Sequence, residues 1–232
     1  MEILALLHQA DAPPGTFGDV ADEQGHTLDI RSFVADRLPP EGAAGHYDAA
    51  IVFGGSAQVD EPHAWLEPER NLIGELIVQG TPLLGVCLGS QLLAQVAGGE
   101  VGPARHREVG WYEVDLTSDG ERDPLLGVMP RRFAAFQWHS YGFALPPSGS
   151  ALAHGPDDAI QAIRVGESAW GIQFHAEVNA AIVESWIEDD GGRELTDPIT
   201  LRSQTAANLP RWTAQGRAIC SRFFEIAAMA RH

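Results

Sequence analysis

The chain has 232 residues, 44 % of them hydrophobic, which is enough to bury a sizeable core in one large or two small domains. Its formal net charge is −17 at pH 7, and a strongly acidic surface repels phosphate backbones, which argues against nucleic-acid binding. All 15 basic residues are arginine, so catalysis by a lysine amine is ruled out.

Cysteine usage and hydropathy indicate a protein of the reducing cytosol. The two cysteines, Cys87 and Cys220, lie far apart, and no Cys/His spacing typical of a zinc site is present. No run of about 18 apolar residues occurs, and residues 1–8 lack the basic region and cleavage site of a signal peptide. We therefore expect a cytoplasmic protein with neither a membrane segment nor a metal.

The first half of the chain predicts alternating strands and helices. Strands are expected at 3–7, 26–30, 47–53 and from 82, with helices at 16–23, 61–77 and 91–97. This order predicts a parallel sheet with right-handed crossovers, in which ligands bind beyond the carboxyl ends of the strands. Gly54-Gly55-Ser56 and Cys87 both follow such ends, so we expect them on the same side of the domain.

The second half predicts a β-rich extension of this sheet. Strands are expected at 109–116, 131–138, 151–154, 159–165 and 169–174, and helices at 179–188 and 198–229. We therefore expect a flavodoxin-like α/β fold: a mostly parallel sheet with helices on both faces, a β-rich second half and a helical C-terminal appendage. The predicted domain spans 1–190, and residues 191–232 are expected to form a helical extension that packs on it.

The stretch that suggests chemistry is Gly85-Val86-Cys87-Leu88-Gly89, where a strand is expected to turn sharply into a helix. Such an elbow holds a nucleophile in a constrained backbone conformation, and its glycines let a neighbouring element and a substrate approach closely. The unpaired N–H groups of the first helical turn favour a thiolate at Cys87. The alternative is a buried cysteine beside a tight turn.

A second stretch, Phe174-His175-Ala176-Glu177, ends an apolar strand in His-x-Glu. Side chains two apart on a strand point to the same face, so His175 and Glu177 are expected to hydrogen-bond. A carboxylate on one imidazole nitrogen fixes the tautomer and leaves the other nitrogen free to take a thiol proton. The alternative is a solvated surface pair, but the elbow cysteine in the same chain favours the catalytic interpretation.

Other residues have simpler explanations. His139 beside Ser140 suggests a second base or a serine nucleophile, but no elbow surrounds Ser140, so substrate contact or sheet packing is preferred. Cys220 lies in an apolar helix and is interpreted as an inert buried thiol. Trp186 is expected in core or edge packing, and the acidic run 188–190 as a solvated helix end and not a metal site.

With these residues in place, the sequence resembles the class I (triad) glutamine amidotransferases. The matching motifs are Gly85 to Gln91, the His175 to Glu177 stretch, and the strand-end glycine loop Phe53-Gly54-Gly55-Ser56. Their order is the family order, and the likeness is nearest to stand-alone members similar to the amidotransferase half of GMP synthase. The common family motif is His-Pro-Glu, so Ala176 is a departure, which we interpret as a subfamily difference.

The resemblance implies hydrolysis of glutamine to glutamate and ammonia. Cys87 would attack the carboxamide and form a γ-glutamyl thioester, His175 would carry the proton, and Glu177 would orient His175. The backbone N–H groups of Gly55 and Leu88 would stabilise the oxyanion. The implied substrate contacts are Gln91, His139, Ser140 and Tyr141.

Three functions remain open at this point. The first is a glutaminase or amidotransferase without a cofactor, with any ammonia-using synthetase on a separate chain. The second is a γ-glutamyl peptide hydrolase with the same triad. The third is a non-catalytic sensor or assembly module with a relic site, against which the complete Cys, His and Glu set argues.

Overall fold

A computed structural model describes residues 1–190 and 197–230 of the chain. The first half alternates strands and helices: β1 Glu2–Leu6, α1 Gly15–Glu23, β2 Thr27–Arg31, β3 Ala49–Val52, α2 Leu66–Gln79, β4 Leu83–Val86 and α3 Leu88–Val96. The second half contains β5 Val101–Leu116, α4 Ser118–Arg122, β6 Arg132–Phe143, β7 Gly149–His154, β8 Ile160–Val165, β9 Ala169–Ile172, α5 Ala180–Asp190 and α6 Pro198–Ala230.

Within the described residues, the strands form one nine-stranded sheet in the order β2-β1-β3-β4-β9-β8-β7-β5-β6. The strands from β2 to β9 in this order are parallel, and those from β9 to β6 are antiparallel. β9 pairs with β4 in a register that sets Val86 opposite Ile172. Because the two strands are parallel and end together, the residues after them meet at one edge of the sheet.

Helices cover both faces of the sheet, as predicted. Alternate residues of a strand point to opposite faces, and β1 shows the pattern: Ile3 and Ala5 join one core cluster while Leu4 and Leu6 join the other. The first cluster includes side chains of α1, α5 and α6, and the second includes those of α2 and α3. The α/β fold with a β-rich second half and a long C-terminal helix is therefore confirmed.

The largest differences from the predicted boundaries are at three elements. The strand expected at 109–116 begins at Val101 as β5. The helix expected at 61–77 begins at Leu66, because the residues before it form tight turns in which the Glu61 carboxylate accepts from the N–H of Gln58. The strand expected at 131–138 continues to Phe143 as β6, since its pairing with β5 persists past the irregular register between Pro103 and Glu108. His139 is therefore a strand residue.

The acidic run 188–190 is only in part the solvated helix end that the sequence predicts, because Asp190 is buried while Asp189 is exposed. The predicted domain boundary at 190/191 borders residues outside the described ranges, so the division into 1–190 and 191–232 stays a prediction. In the described ranges, no helix combines the length and the apolar character needed to cross a bilayer.

Candidate active site

Cys87 occupies a strained turn between β4 and α3. Its backbone angles are φ +50° and ψ −109°, a conformation that non-glycine residues rarely adopt and that is common at functional sites. A Cβ on Gly89 would lie 2.0 Å from the carbonyl oxygen of Val52, and one on Gly85 would lie 2.5 Å from that of Gly89. Both glycines are therefore needed for close backbone packing, as the elbow pattern predicts.

His175 and Glu177 follow β9, beside the elbow. His175 Nδ1 lies 2.7 Å from Glu177 Oε1, and both side chains are almost fully buried. The backbone of His175 is fixed on both sides: its N–H donates to the carbonyl of Phe136, and its carbonyl accepts from Trp212 Nε1 at 2.8 Å. The pair is therefore an ordered interior contact and not a solvated surface pair.

The charge state of His175 is set by opposing effects. Burial disfavours the charged ring, but the Glu177 carboxylate and the Cys87 sulfur outweigh it and raise the pKa of His175 to about 10. Nε2 has no hydrogen-bond partner of good geometry among the described residues, although Cys87 is near enough to interact electrostatically with the ring. The free nitrogen of an oriented imidazole therefore lies beside the thiol.

The glycine loop after β3 packs directly against this pair. A Cβ on Gly54 would lie 2.9 Å from His175 Cε1 and 3.4 Å from Cys87 Cβ, so only glycine fits here without displacing the ring. Across the described part of the chain, the backbone N–H groups of Gly55 and Leu88 have no hydrogen-bond acceptor. Two unpaired amide donors next to a thiol are suited to stabilise an oxyanion.

A cavity of about 240 Å³ opens onto these groups. Of the residues predicted from the sequence, it is lined by Gly54, Gly55, Cys87, Gln91, His139, Ser140, Tyr141 and His175. Leu88 begins α3 just behind Cys87, and Glu177 lies behind His175. The structure therefore brings all predicted site residues to one place.

One part of the cavity wall is built from buried polar contacts. Gln91 Nε2 donates to the carbonyl of Tyr141 at 3.2 Å and to Gln173 Oε1 at 3.3 Å. His139 Nδ1 lies 3.0 Å from the same carbonyl, and its Nε2 lies 3.0 Å from Glu108 Oε2. These contacts give Gln91 and His139 fixed positions at the cavity.

Sequence reasoning missed the aromatic and acidic residues on the other side. The sequence predicts only a packing role for Trp186, but its ring contacts that of His175 edge to face at 4.8 Å and also lines the cavity. Trp138, Asp11 and Asp190 line it as well. No local pattern marks these positions, because they reach the cavity through the packing of α5, β6 and the loop between β1 and α1.

The arrangement is suited to acyl transfer. A thiol at a strained elbow, an imidazole oriented by a carboxylate and two free amide donors supply a nucleophile, a base and oxyanion stabilisation. Among residues 1–190 and 197–230, no group of three His, Cys, Asp or Glu side chains has the geometry of a metal site.

Known proteins resemble this chain in sequence, and a solved structure resembles it in fold. The chain is 27 % identical over 222 residues to the glutamine amidotransferase-like protein YfeJ of Salmonella typhimurium, covering 93 % of this chain and 92 % of that one. It is 33 % identical over 156 residues to a subunit of the glutamine-hydrolysing GMP synthase of Ignicoccus hospitalis, covering 66 % and 77 %. The crystal structure of a glutamine amidotransferase from Thermotoga maritima superposes with a TM-score of 0.86 at 28 % identity, covering 96 % and 97 %.

A further relative has a different substrate in its name. The chain is 30 % identical over 143 residues to the γ-glutamyl-L-1-hydroxyisopropylamide hydrolase of a Pseudomonas species, but the match covers 58 % of this chain and only 48 % of that enzyme. The model of the family described as Glutamine amidotransferase class-I matches residues 23–187, well over half of the chain. The chain therefore belongs to the class-I glutamine amidotransferase family.

Proposed function

We propose that the protein hydrolyses the γ-carboxamide of glutamine through a γ-glutamyl thioester on Cys87 and releases glutamate and ammonia. The observation that carries the proposal is the buried 2.7 Å contact between His175 and Glu177, which leaves the free Nε2 of His175 beside a cysteine at a strained elbow. Family membership supports the same reaction class.

In the first half-reaction, the Cys87 sulfur attacks the carboxamide carbon while His175 holds the thiol proton. The developing oxyanion accepts hydrogen bonds from the free N–H groups of Gly55 and Leu88, each of which contributes about 3 kcal/mol at the transition state. Collapse of the tetrahedral intermediate breaks the carbon–nitrogen bond, and His175 gives its proton to the leaving ammonia. Glu177 stabilises the imidazolium during this transfer.

In the second half-reaction, a water molecule attacks the thioester carbonyl. His175 takes a proton from that water and returns it to the departing Cys87 sulfur, so glutamate leaves and the free enzyme is restored. Throughout both steps we assign the α-amino and α-carboxylate groups of the substrate to Gln91, His139, Ser140 and Tyr141, because these residues line the cavity beside Cys87.

The nucleophile assignment is tested with the two cysteines of the chain. Cys87→Ser should abolish release of glutamate and ammonia from glutamine, whereas Cys220→Ser should leave it unchanged, because burial in α6 raises the pKa of the Cys220 thiol. Acid quenching during turnover should trap a γ-glutamyl adduct on Cys87, read by intact mass and peptide mapping. Unchanged turnover in Cys87→Ser, or an adduct on another residue, would show the assignment to be wrong.

The second candidate is hydrolysis of γ-glutamyl amides or peptides with the same triad. The hydrolase from Pseudomonas supports it, as does the aromatic wall of Trp138 and Trp186 on the His175 side of the cavity, which suits an apolar leaving group. The test compares kcat/KM for glutamine with that for a series of γ-glutamyl alkylamides and γ-glutamyl peptides. A higher value for glutamine than for all the others rejects this candidate.

We also propose that a separate synthetase chain uses the ammonia and that the protein is cytoplasmic. The similarity to one subunit of a GMP synthase supports the first, and the low cysteine count supports the second. A purified candidate synthetase should raise the glutaminase rate when mixed with the protein. A γ-glutamyl adduct on Cys87 would in turn exclude the non-catalytic sensor or assembly module.

A further inference from the structure

A second histidine, His8, packs behind the glycine loop Gly54-Gly55-Ser56 and is held there by two polar contacts. His8 follows β1, and its ring is buried between that loop and α2. Nε2 lies 2.9 Å from Glu69 Oε1, with side-chain exposures of only 2 % and 1 %, and Nδ1 lies 3.3 Å from the carbonyl oxygen of Gly54. A carbonyl can only accept, so Nδ1 is the donor in that contact.

The carbonyl of Gly54 and the N–H of Gly55 belong to the same planar peptide unit, and in a trans peptide they point in opposite directions. A donor that holds the carbonyl therefore fixes the direction of the N–H. The Gly55 N–H is one of the two unpaired donors beside Cys87 in the described part of the chain. We propose that His8 is a positioning residue that aims the Gly55 N–H at the oxyanion, an inference that rests on the proposed hydrolysis of γ-glutamyl amides.

Glu69 holds the ring of His8 from the other side. With Nδ1 donating to the Gly54 carbonyl, the contact between Nε2 and the Glu69 carboxylate fixes the rotation of the ring. The loop has little freedom to shift, because a Cβ on Gly55 would lie 2.6 Å from His8 Cβ and 3.1 Å from a methyl carbon of Leu88. The peptide is therefore held by packing on one side and by the His8 hydrogen bond on the other.

Two substitutions separate this role from simple packing. The amide nitrogen of asparagine is the same number of bonds from Cβ as Nδ1, and that of glutamine is the same number as Nε2. His8→Asn therefore keeps a donor for the Gly54 carbonyl and loses the contact with Glu69. His8→Gln keeps the contact with Glu69 and loses the donor for the Gly54 carbonyl. We expect His8→Gln to lower kcat about 10- to 100-fold with KM little changed, and His8→Asn to stay near the wild-type rate.

Two controls report on folding and on the thiol. Iodoacetamide alkylates Cys87 by a displacement that forms no oxyanion, so its rate should be the same in both variants and the wild type. His46→Gln removes an exposed His–Glu pair at the start of β1, and should leave kcat unchanged. If His8→Asn fails to fold because it leaves Glu69 unpaired, the double variant with Glu69→Gln removes that buried charge.

The outcomes are distinct. A selective loss of kcat in His8→Gln, with normal alkylation, supports the positioning role. Equal rates in His8→Asn and His8→Gln, or a greater loss in His8→Asn, overturn it, because a packing role or a pairing role for Glu69 predicts that result. Wild-type protein that turns over neither glutamine nor any γ-glutamyl amide, while its Cys87 is still alkylated, rejects the proposed function and this role with it.

Discussion

Three buried histidines, each paired with a glutamate, lie at the cavity or directly behind its wall: His175 with Glu177, His139 with Glu108 and His8 with Glu69. Only the first pair is visible in the sequence, because its members are two residues apart at the end of a predicted strand. Glu69 lies 61 residues from His8, and Glu108 lies on a different strand from His139, so each of these pairs forms only when the chain has folded. Local pattern therefore predicts the proton-transfer pair and not the pairs that support the cavity walls.

The same pair gives a prediction for the pH dependence. The pKa of His175 is raised to about 10 against the effect of burial, and Glu177 is the foremost of the groups that raise it. Above that pH the ring loses the proton that it gives to the leaving nitrogen, so kcat/KM should fall. Glu177→Gln removes the carboxylate, so the fall should begin at a lower pH, and kcat should drop by about 10²-fold or more.

The measurement is kcat/KM for glutamine from pH 6 to pH 11 in both proteins. Glu2→Gln is a control, because it breaks an exposed Glu–His contact of 3.9 Å outside the cavity lining and should leave the profile in place. A basic limb at the same pH in Glu177→Gln and the wild type would contradict the role given to the carboxylate.

At the scale of elements, the elbow is the feature that the sequence predicts best. Strand, nucleophile and helix are adjacent in the chain. Gly85 is needed because it packs against the backbone of Gly89, and Gly89 is needed because it packs against the backbone of Val52. No local sequence pattern predicts that α6 holds the segment after β9 that carries His175. Trp212 and Gly216 contact the backbone of His175 and Ala176 only because a distant helix packs there.

Gly89→Ala should destabilise the protein without altering any polar group. Its new methyl would lie 2.0 Å from the carbonyl oxygen of Val52, so β3 and α3 must separate, at a cost of about 1–3 kcal/mol or more. Urea unfolding measures the change. Gly80→Ala would serve poorly as a control because its φ is +72°, whereas Gly102→Ala meets no atom within 4 Å and should be nearly neutral. A free energy of unfolding equal to that of the wild type would mean that the elbow can relax.

Trp212→Phe should reduce both stability and activity. It leaves the buried carbonyl of His175 without its donor, which costs about 1–3 kcal/mol, and it loosens the segment after β9 that carries the base. Trp111→Phe is the matched control: it removes a Trp N–H bond to Thr205 of the same helix and leaves the Trp212 bond to the His175 carbonyl in place. Both variants should have a lower melting temperature than the wild type, but only Trp212→Phe should lower kcat. Equal kcat values in Trp212→Phe and Trp111→Phe would mean that Trp212 contributes to packing alone.

For the whole molecule, the decisive feature is where β9 enters the sheet. The chain leaves the parallel half after α3, builds the antiparallel strands and returns to place β9 beside β4. The sequence predicts that strand ends carry Gly54, Cys87 and His175, but it does not give the strand order that makes them neighbours. Strand order depends on long-range pairing, for which one sequence offers little sign.

The net charge of −17 gives a last prediction, about the stability of the molecule as a whole. Uncompensated negative charge repels itself across the surface and destabilises the compact state, whereas exposed Arg–carboxylate pairs contribute little. Raising NaCl from about 0.01 M to about 0.1 M shortens the screening length from about 30 Å to about 10 Å. The melting temperature at pH 7.5 should therefore rise. Near the sequence pI of about 4.7 the net charge is small, and the same salt should have little effect. A melting temperature that falls with salt at pH 7.5 would mean that attractive ion pairs outweigh the repulsion.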